Sequence, residues 1–373
     1  MKKQFISLAL AVMMLLGVTG CAMSTPSTVG TIGGVEIPAG VYLLAQYNAY
    51  STAAQNADLA TGETASDVKA VLKAECTGTI GDEEVTTDGA DYVDRLTRRS
   101  VQYYAAVENR FAQLGGELDD AATAEAAQTA DSLWETNGDL YTANGIGKAS
   151  VETYLLNAQK AKACLELIYG ENGTEPVTEQ EYQDYIVNDC AYLETVQIPL
   201  FDQSTYVFAT EDQNTEIKAL AQQCCDELNA AGDDESAMYM AAMTYAPQAI
   251  GILGGSLDAN QAVYYAGSSL YTPDDLASYD DGQGGNTITD ATDKAGFGKW
   301  VVVDLGMSYL VVRALDPMQV AAVSDYVDGF SLLDAMKSQE HQDSLYAEGA
   351  AMEDGLSASA LKTYSASKIK KTV

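Results

Sequence analysis

The chain is 373 residues long and 47% of them are hydrophobic, enough for buried cores in two or three domains. Its 20 Lys and Arg face 54 Asp and Glu, a net charge of −34, so phosphate backbones would repel it and nucleic acid is excluded as a partner class. A single histidine, His341, leaves no histidine cluster for a zinc site, and no metal-ligand or cofactor-binding spacing is present.

Met1-Lys2-Lys3 precedes an apolar stretch from Phe5 to Leu16, then Gly17-Val18-Thr19-Gly20-Cys21. A short positive region, an apolar core and small residues make a secretory signal, too short to persist as a spanning helix. Val18-Thr19-Gly20-Cys21 resembles the lipobox of bacterial lipoproteins. That implies removal of residues 1–20 and lipid on Cys21; an ordinary signal peptide with an incidental cysteine is the plainer alternative. Loss of Lys2 and Lys3 would take the net charge to −36. Residues 21–28 read as a flexible tether. The expected location is therefore extracytoplasmic, anchored by lipid in a bacterial cell membrane.

Val29 to Ile37 reads as a short strand and turn, and Pro38 suits a first helical position. Val41, Leu44, Ala45, Asn48 and Ala49 fall near one face of the helix that follows. Thr77 to Gly89, polar and acidic, reads as a loop. Gly89 to Leu114 is a long helix, with Val93, Leu96, Tyr103, Val107 and Phe111 at 3–4 spacing. Further helices are expected over Asp120–Asn137 and Ser150–Tyr169, with a linker over Gly170–Pro176. Thr178-Glu179-Gln180-Glu181 is a capping box opening a helix to about Asp189. The period then changes to two at Val196, Ile198 and Leu200. Helices over Glu211–Ala230 and Ser236–Tyr245 precede a Gly-rich, acidic loop region reaching Gly298. Trp300 to Arg313 reads as a hairpin. Val323, Tyr326, Val327, Phe330 and Leu333 mark one last amphipathic helix running towards Tyr346.

Cys76, Cys164, Cys190, Cys224 and Cys225 are odd in number and lack the spacing of a disulfide scaffold, so they read as mostly reduced, small apolar residues. His341, in a charged helical stretch, reads as a solvated helix residue. The chain has 23 Tyr against 6 Phe. Tyr42, Tyr47, Tyr50, Tyr103, Tyr104, Tyr154, Tyr264 and Tyr265 are half-buried packing residues on the plain reading, or exposed rings that hold unfolded segments on the sharper one. Met238, Met240 and Met243 divide in the same way. The tail lysines Lys362, Lys368, Lys370 and Lys371 read as a fraying basic end or as a contact for an anionic wall or lipid.

Three stretches together resemble the extracytoplasmic foldases related to SurA and PrsA, which join a helical chaperone module to parvulin-type isomerase domains. They are Val29 to Ile37, similar to "V-x-x-V-N-G-x-x-I"; Val177 to Tyr185, similar to the helix that precedes a parvulin domain; and Tyr364 to Ile369, similar to "Y-x-P-K-K-I". The resemblance implies an α+β, predominantly helical fold: a SurA N-terminal-like helical domain over 29–176, an inserted parvulin-like domain over 177–316, and a C-terminal helix over 317–373 returning to the helical domain. Parvulins place a histidine in "H-I-L" and a second in "G-Y-H-I-I". Here Gln197 and Leu310 stand at those places, so the isomerase positions are degenerate and no catalytic residue carries over. The "G-G-D-L-G" turn survives at most as Gly254-Gly255-Ser256-Leu257-Asp258. The expectation is a membrane-anchored chaperone or foldase for unfolded or nascent secreted proteins, without efficient isomerase catalysis. An active peptidyl-prolyl isomerase and a solute-binding lipoprotein are the alternatives.

Overall fold

The computed structural model describes residues 27–232, 234–280, 285–329 and 331–371. Cys21, the expected leader and most of the expected tether lie outside the described residues. In chain order, β1 (Thr28–Ile32) and β2 (Val35–Pro38) form a hairpin, and Pro38 closes β2 rather than starting the helix. There follow α1 (Ala39–Asn56), α2 (Val68–Lys73), β3 (Glu75–Ile80), β4 (Glu83–Asp88) and the long α3 (Gly89–Gln113). Next come α4 (Asp120–Ala143), α5 (Lys148–Tyr169), α6 (Glu179–Asn188) and β5 (Ala191–Pro199). A two-residue pair, β6 (Phe201–Asp202) and β7 (Val207–Phe208), precedes α7 (Glu211–Ala231), α8 (Glu235–Ile252) and α9 (Ala259–Ala262). After β8 (Ala266–Tyr271) come α10 (Pro273–Ala277), α11 (Thr287–Ala295), β9 (Val301–Asp304) and β10 (Ser308–Leu315). The chain ends with α12 (Pro317–Val320), α13 (Val323–Gly329), α14 (Leu332–Ala351), β11 (Asp354–Leu356) and α15 (Ala358–Thr363). The fold is α+β and predominantly helical. No described helix is long and apolar enough to cross a membrane.

Two compact units share these elements: one of residues up to Ala161 together with those from Leu345 onward, the other Lys162–Ser344. In the first, β11 pairs with β1 and β1 with β2, so residues near both ends of the sequence share one small sheet. Val29, Ile32 and Ile37 pack there against Val41, Tyr42 and Ala45 of α1, Val101, Tyr104 and Ala105 of α3, and Ala360 of α15. Asn48, expected on the apolar face of α1, is exposed; Gln46 is buried instead and donates to the Tyr364 carbonyl at 3.0 Å. The stretch expected as a loop over Thr77–Gly89 contains most of the β3–β4 hairpin, whose Thr77 and Thr86 hydroxyls meet across the strands at 3.0 Å. One face turns Cys76 and Ile80 to the core of Tyr50, Val71 and Tyr92, but Gly78 between them interrupts the period of two, while the Thr, Val and Ile content favours a pleated strand. The basic tail is docked rather than frayed. The Lys370 amide donates to Asn144 Oδ1 and its carbonyl accepts from Asn144 Nδ2, both at 2.8 Å. The Lys371 ammonium stands 5.1 and 5.4 Å from the rings of Tyr47 and Tyr50.

The second unit is built on a four-stranded antiparallel sheet of order β8-β5-β10-β9. The hairpin expected over Trp300 to Arg313 thus joins β5, which holds Thr195 to Pro199. One face buries Val196, Ile198, Tyr309 and Val311 under α7 and α8. The other buries Leu193, Leu310, Val312 and Val303 under Leu276 of α10 and Ile288 of α11. Alternation along β5 decides the division, since successive side chains leave opposite faces of a strand. The capping box of α6 is fully formed by Thr178 and Glu181. α8 continues past Tyr245 through Pro247, and the region expected as loop up to Gly298 holds α9, β8, α10 and α11. The single terminal helix is instead α12, α13 and α14, with Phe330 outside the described residues. His341 is 4% exposed and edge-on to Tyr169 at 6.3 Å, so the expectation of a solvated histidine is corrected. None of the five described cysteines is in a disulfide. Every strand pairing among the described residues is antiparallel, so none forms the βαβ unit of a solute-binding lobe.

Candidate functional site

Gln197 on β5 and Leu310 on β10 are direct cross-strand partners. Residues so opposed share a face with side chains about 5 Å apart, the spacing that a pair of interacting histidines would need. The residues present cannot exchange protons near neutral pH. Gln197 is itself exposed, between buried Val196 and Ile198, and donates from Nε2 to the Ser308 hydroxyl at 3.2 Å. Leu310 is buried with Val303 and Ile288 and fills space rather than lining it.

Gly254 and Gly255 follow α8, and Gly255 has a packing reason of its own. A Cβ there would come 2.3 Å from Asp202 Oδ2, so only glycine lets the backbone approach. The Asp202 carboxylate organises the β6–β7 turn, accepting from the Ser204 amide at 2.9 Å, the Ser204 hydroxyl at 2.7 Å and the Thr205 hydroxyl at 2.8 Å. These bonds favour the charged form and hold its pKa below the ordinary carboxylate value. The turn presents Tyr206, at φ 56°, whose ring lies 6.2 Å from that of Phe201, and the Phe208 ring lies 4.4 Å from the same Phe201.

On the face of the sheet that packs against α7 and α8, the face away from Gln197 and Leu310, lies a cleft of about 600 Å³. Its floor is Tyr192 and Glu194 of β5, Ser268 of β8, and Arg313 and Leu315 of β10. Tyr239 of α8, Phe297 before β9 and Val320 of α12 stand on its walls, and they are 42%, 67% and 40% exposed. On the floor Arg313 donates from Nε to Glu194 Oε2 at 2.5 Å and from Nη1 to the Gly232 carbonyl at 3.1 Å. Its guanidinium also sits 5.0 Å from the Trp300 ring. Both charges are buried, and their pairing makes burial tolerable. Apolar walls around a few convergent polar groups are the usual make-up of a binding concavity. Among the described residues no group of three or more His, Cys, Asp or Glu is placed to hold a metal ion.

Sequence reasoning found Gln197 and Leu310 but not the cleft. Two charges inside otherwise apolar strands, Glu194 and Arg313, were the available signal. The tyrosines mostly follow the plain reading: Tyr42, Tyr50 and Tyr104 are buried and Tyr47, Tyr103, Tyr154 and Tyr265 half-buried, while Tyr264 is 86% exposed. Burial pushes the phenols of Tyr42 and Tyr50 up to about 12. Met238 is buried, Met243 half-buried and Met240 exposed.

No protein-family model matches the sequence, and no curated protein does. Among solved structures, the chain is similar to the foldase protein PrsA from Streptococcus pneumoniae, at 10% identity and a TM-score of 0.32, over 78% of this chain and 91% of that one. It is also similar to the peptidylprolyl isomerase PrsA from Bacillus cereus, at 14% identity and a TM-score of 0.26, over 77% and 97% of the two chains. The corresponding protein from Bacillus anthracis gives 11%, 0.24, 74% and 98%. Likenesses this slight carry no argument about activity, and the geometry of the chain itself has to carry it.

Proposed function

We propose that the chain is a membrane-anchored, extracytoplasmic folding factor that binds unfolded or nascent secreted proteins without efficient prolyl isomerisation. The cleft on the β5–β8–β10 floor carries the reading, because its exposed Tyr239, Phe297 and Val320 offer apolar contact that an unfolded segment can use without a fixed sequence. Turnover is a different matter. Rotation about a prolyl bond faces a barrier of about 20 kcal/mol, and in this fold the opposed positions hold Gln197 and Leu310. Neither side chain supplies the polar network of the resembled isomerases. The anchor is the lipid proposed on Cys21.

The chain should suppress light scattering by a heat-denatured reporter protein at stoichiometric amounts. Tyr239→Ser combined with Phe297→Ser should weaken that suppression while leaving circular dichroism unchanged. A protease-coupled proline peptide assay should stay at the uncatalysed rate. Failure to suppress aggregation even at large excess would remove the proposal, and mass spectrometry of the membrane-extracted chain tests acylation at Cys21 separately.

A further inference from the structure

A second concavity in the unit Lys162–Ser344 is distinct in chemistry from the cleft. It lies among the end of α5 and helices α6, α13 and α14, with a volume of about 800 Å³. Tyr182, Val323, Val327 and Leu333 give it an apolar lining. Around them stand five carboxylates, Glu166, Glu171, Glu179, Asp328 and Asp334, against one lining cation, Lys162. Lys337 of α14 is outside the lining and is paired with Glu340 at 2.8 Å. In the cleft, by contrast, Glu194 and Arg313 satisfy each other and only Asp316 is left over.

We propose that this groove receives segments of unfolded chains in which apolar side chains are flanked by lysine or arginine. Two effects point the same way. An apolar floor gains when it is covered, in proportion to the area removed from water. A rim of like charges raises the local potential, which draws in cations and turns anions away over roughly one Debye length, about 10 Å at moderate salt. An apolar segment with acidic flanks would gain the first term and lose by the second. The inference rests on the folding-factor reading for its setting and adds the class of segment selected, which the near-neutral cleft cannot select.

The test titrates the purified full-length chain into fluorescent peptides that share one apolar core and carry lysine, serine or glutamate flanks. The lysine-flanked peptide should bind at least about tenfold more tightly than the glutamate-flanked one at low salt, with the ratio shrinking as salt rises. A variant combining Glu166→Gln, Glu171→Gln, Glu179→Gln and Asp328→Asn should lose the preference while still binding the serine-flanked peptide. Leu333→Ser should weaken the lysine-flanked peptide without altering the circular dichroism. A preference that survives the neutralising substitutions would overturn the proposal, because the selecting charge would then lie elsewhere on this acidic chain. Equal binding of all three peptides, lost in the Tyr239→Ser, Phe297→Ser chain, would overturn it while leaving the folding-factor reading in place. Absence of any binding, together with unsuppressed aggregation, would sink both. Sedimentation showing a dimer that Leu333→Ser dissociates would assign the groove to a second copy of the chain instead.

Discussion

At the residue scale, the Glu194–Arg313 pair is the most consequential contact in the cleft floor. Its side chains are only 10% and 5% exposed, so the cost of stripping water from two charges is offset by their 2.5 Å bond and by the Gly232 carbonyl. Arg313→Met removes one charge and leaves the other buried alone, which should cost about 3–5 kcal/mol in urea unfolding. Glu194→Met added to Arg313→Met should recover most of that loss, and a double variant as unstable as the single one would refute the account. Asp202 makes a separate prediction in pH. Its carboxyl is held below its unfolded value by the Ser204 and Thr205 bonds. Because the folded pKa is the lower one, its contribution is fully present above the unfolded carboxylate pKa of about 4 and is lost as pH falls through the folded value. Asp202→Asn should therefore lower stability at neutral pH and flatten the acid limb of the stability–pH curve. An acid limb as steep as that of the unsubstituted chain would count against it.

At the scale of elements, helix contacts set tolerances that propensity alone does not reveal. Gly349 lies within α14, where alanine would ordinarily stabilise a helix by about 1 kcal/mol. Here a Cβ would meet the Gln102 carbonyl of α3 at 2.4 Å, a backbone atom that cannot rotate away. Overpacking of about 1–3 kcal/mol should win, so Gly349→Ala is expected to lower the melting temperature rather than raise it. The same divide explains what the sequence disclosed. Long helices such as α3 and α5 were legible because their apolar residues repeat at 3–4 spacing, and α6 because its capping box is local. Strand β8, Ala-Gly-Ser-Ser-Leu-Tyr, has no β-branched residue and owes its extended form to pairing with β5 along Ala191 to Val196. The apolar spacing through α13 and α14 was seen, but not the break between them. Gln197 and Leu310 could be named from motif positions, and their opposition in register is a property of the sheet. The cleft was illegible for the same reason: its floor gathers residues 192 to 315 through strand order, which no local window contains.

At the scale of the whole molecule, the first unit is closed by residues from both ends of the chain. The Ser357 amide donates to the Val29 carbonyl at 2.8 Å, the Gly33 amide to the Glu353 carbonyl at 2.9 Å, and Ala360 caps the core around Val29, Ile32 and Tyr42. Truncation after Ser344 would strip the end of α14 with its buried Leu345, β11, α15 and the docked tail, exposing aliphatic side chains worth about 1.5–3 kcal/mol each when fully buried. Set against a typical domain stability of about 5–15 kcal/mol, the loss of several such contacts should unfold that unit. The chain's 2 tryptophans report the outcome independently, since Trp134 belongs to the first unit and Trp300 to the second. Trp300 is 4% exposed and held by Asn229, which donates to its carbonyl at 2.9 Å and accepts from its amide at 3.1 Å, all within Lys162–Ser344. With Trp134→Phe in the truncated chain, Trp300 emission should stay blue-shifted and melt cooperatively. With Trp300→Phe, Trp134 emission should be red-shifted and should change gradually with denaturant. Loss of both signals together would show that the two units fold as one cooperative block. Retention of the Trp300 transition would leave the cleft intact, and aggregation suppression by the truncated chain would then measure how much of the proposed client binding the second unit supplies alone.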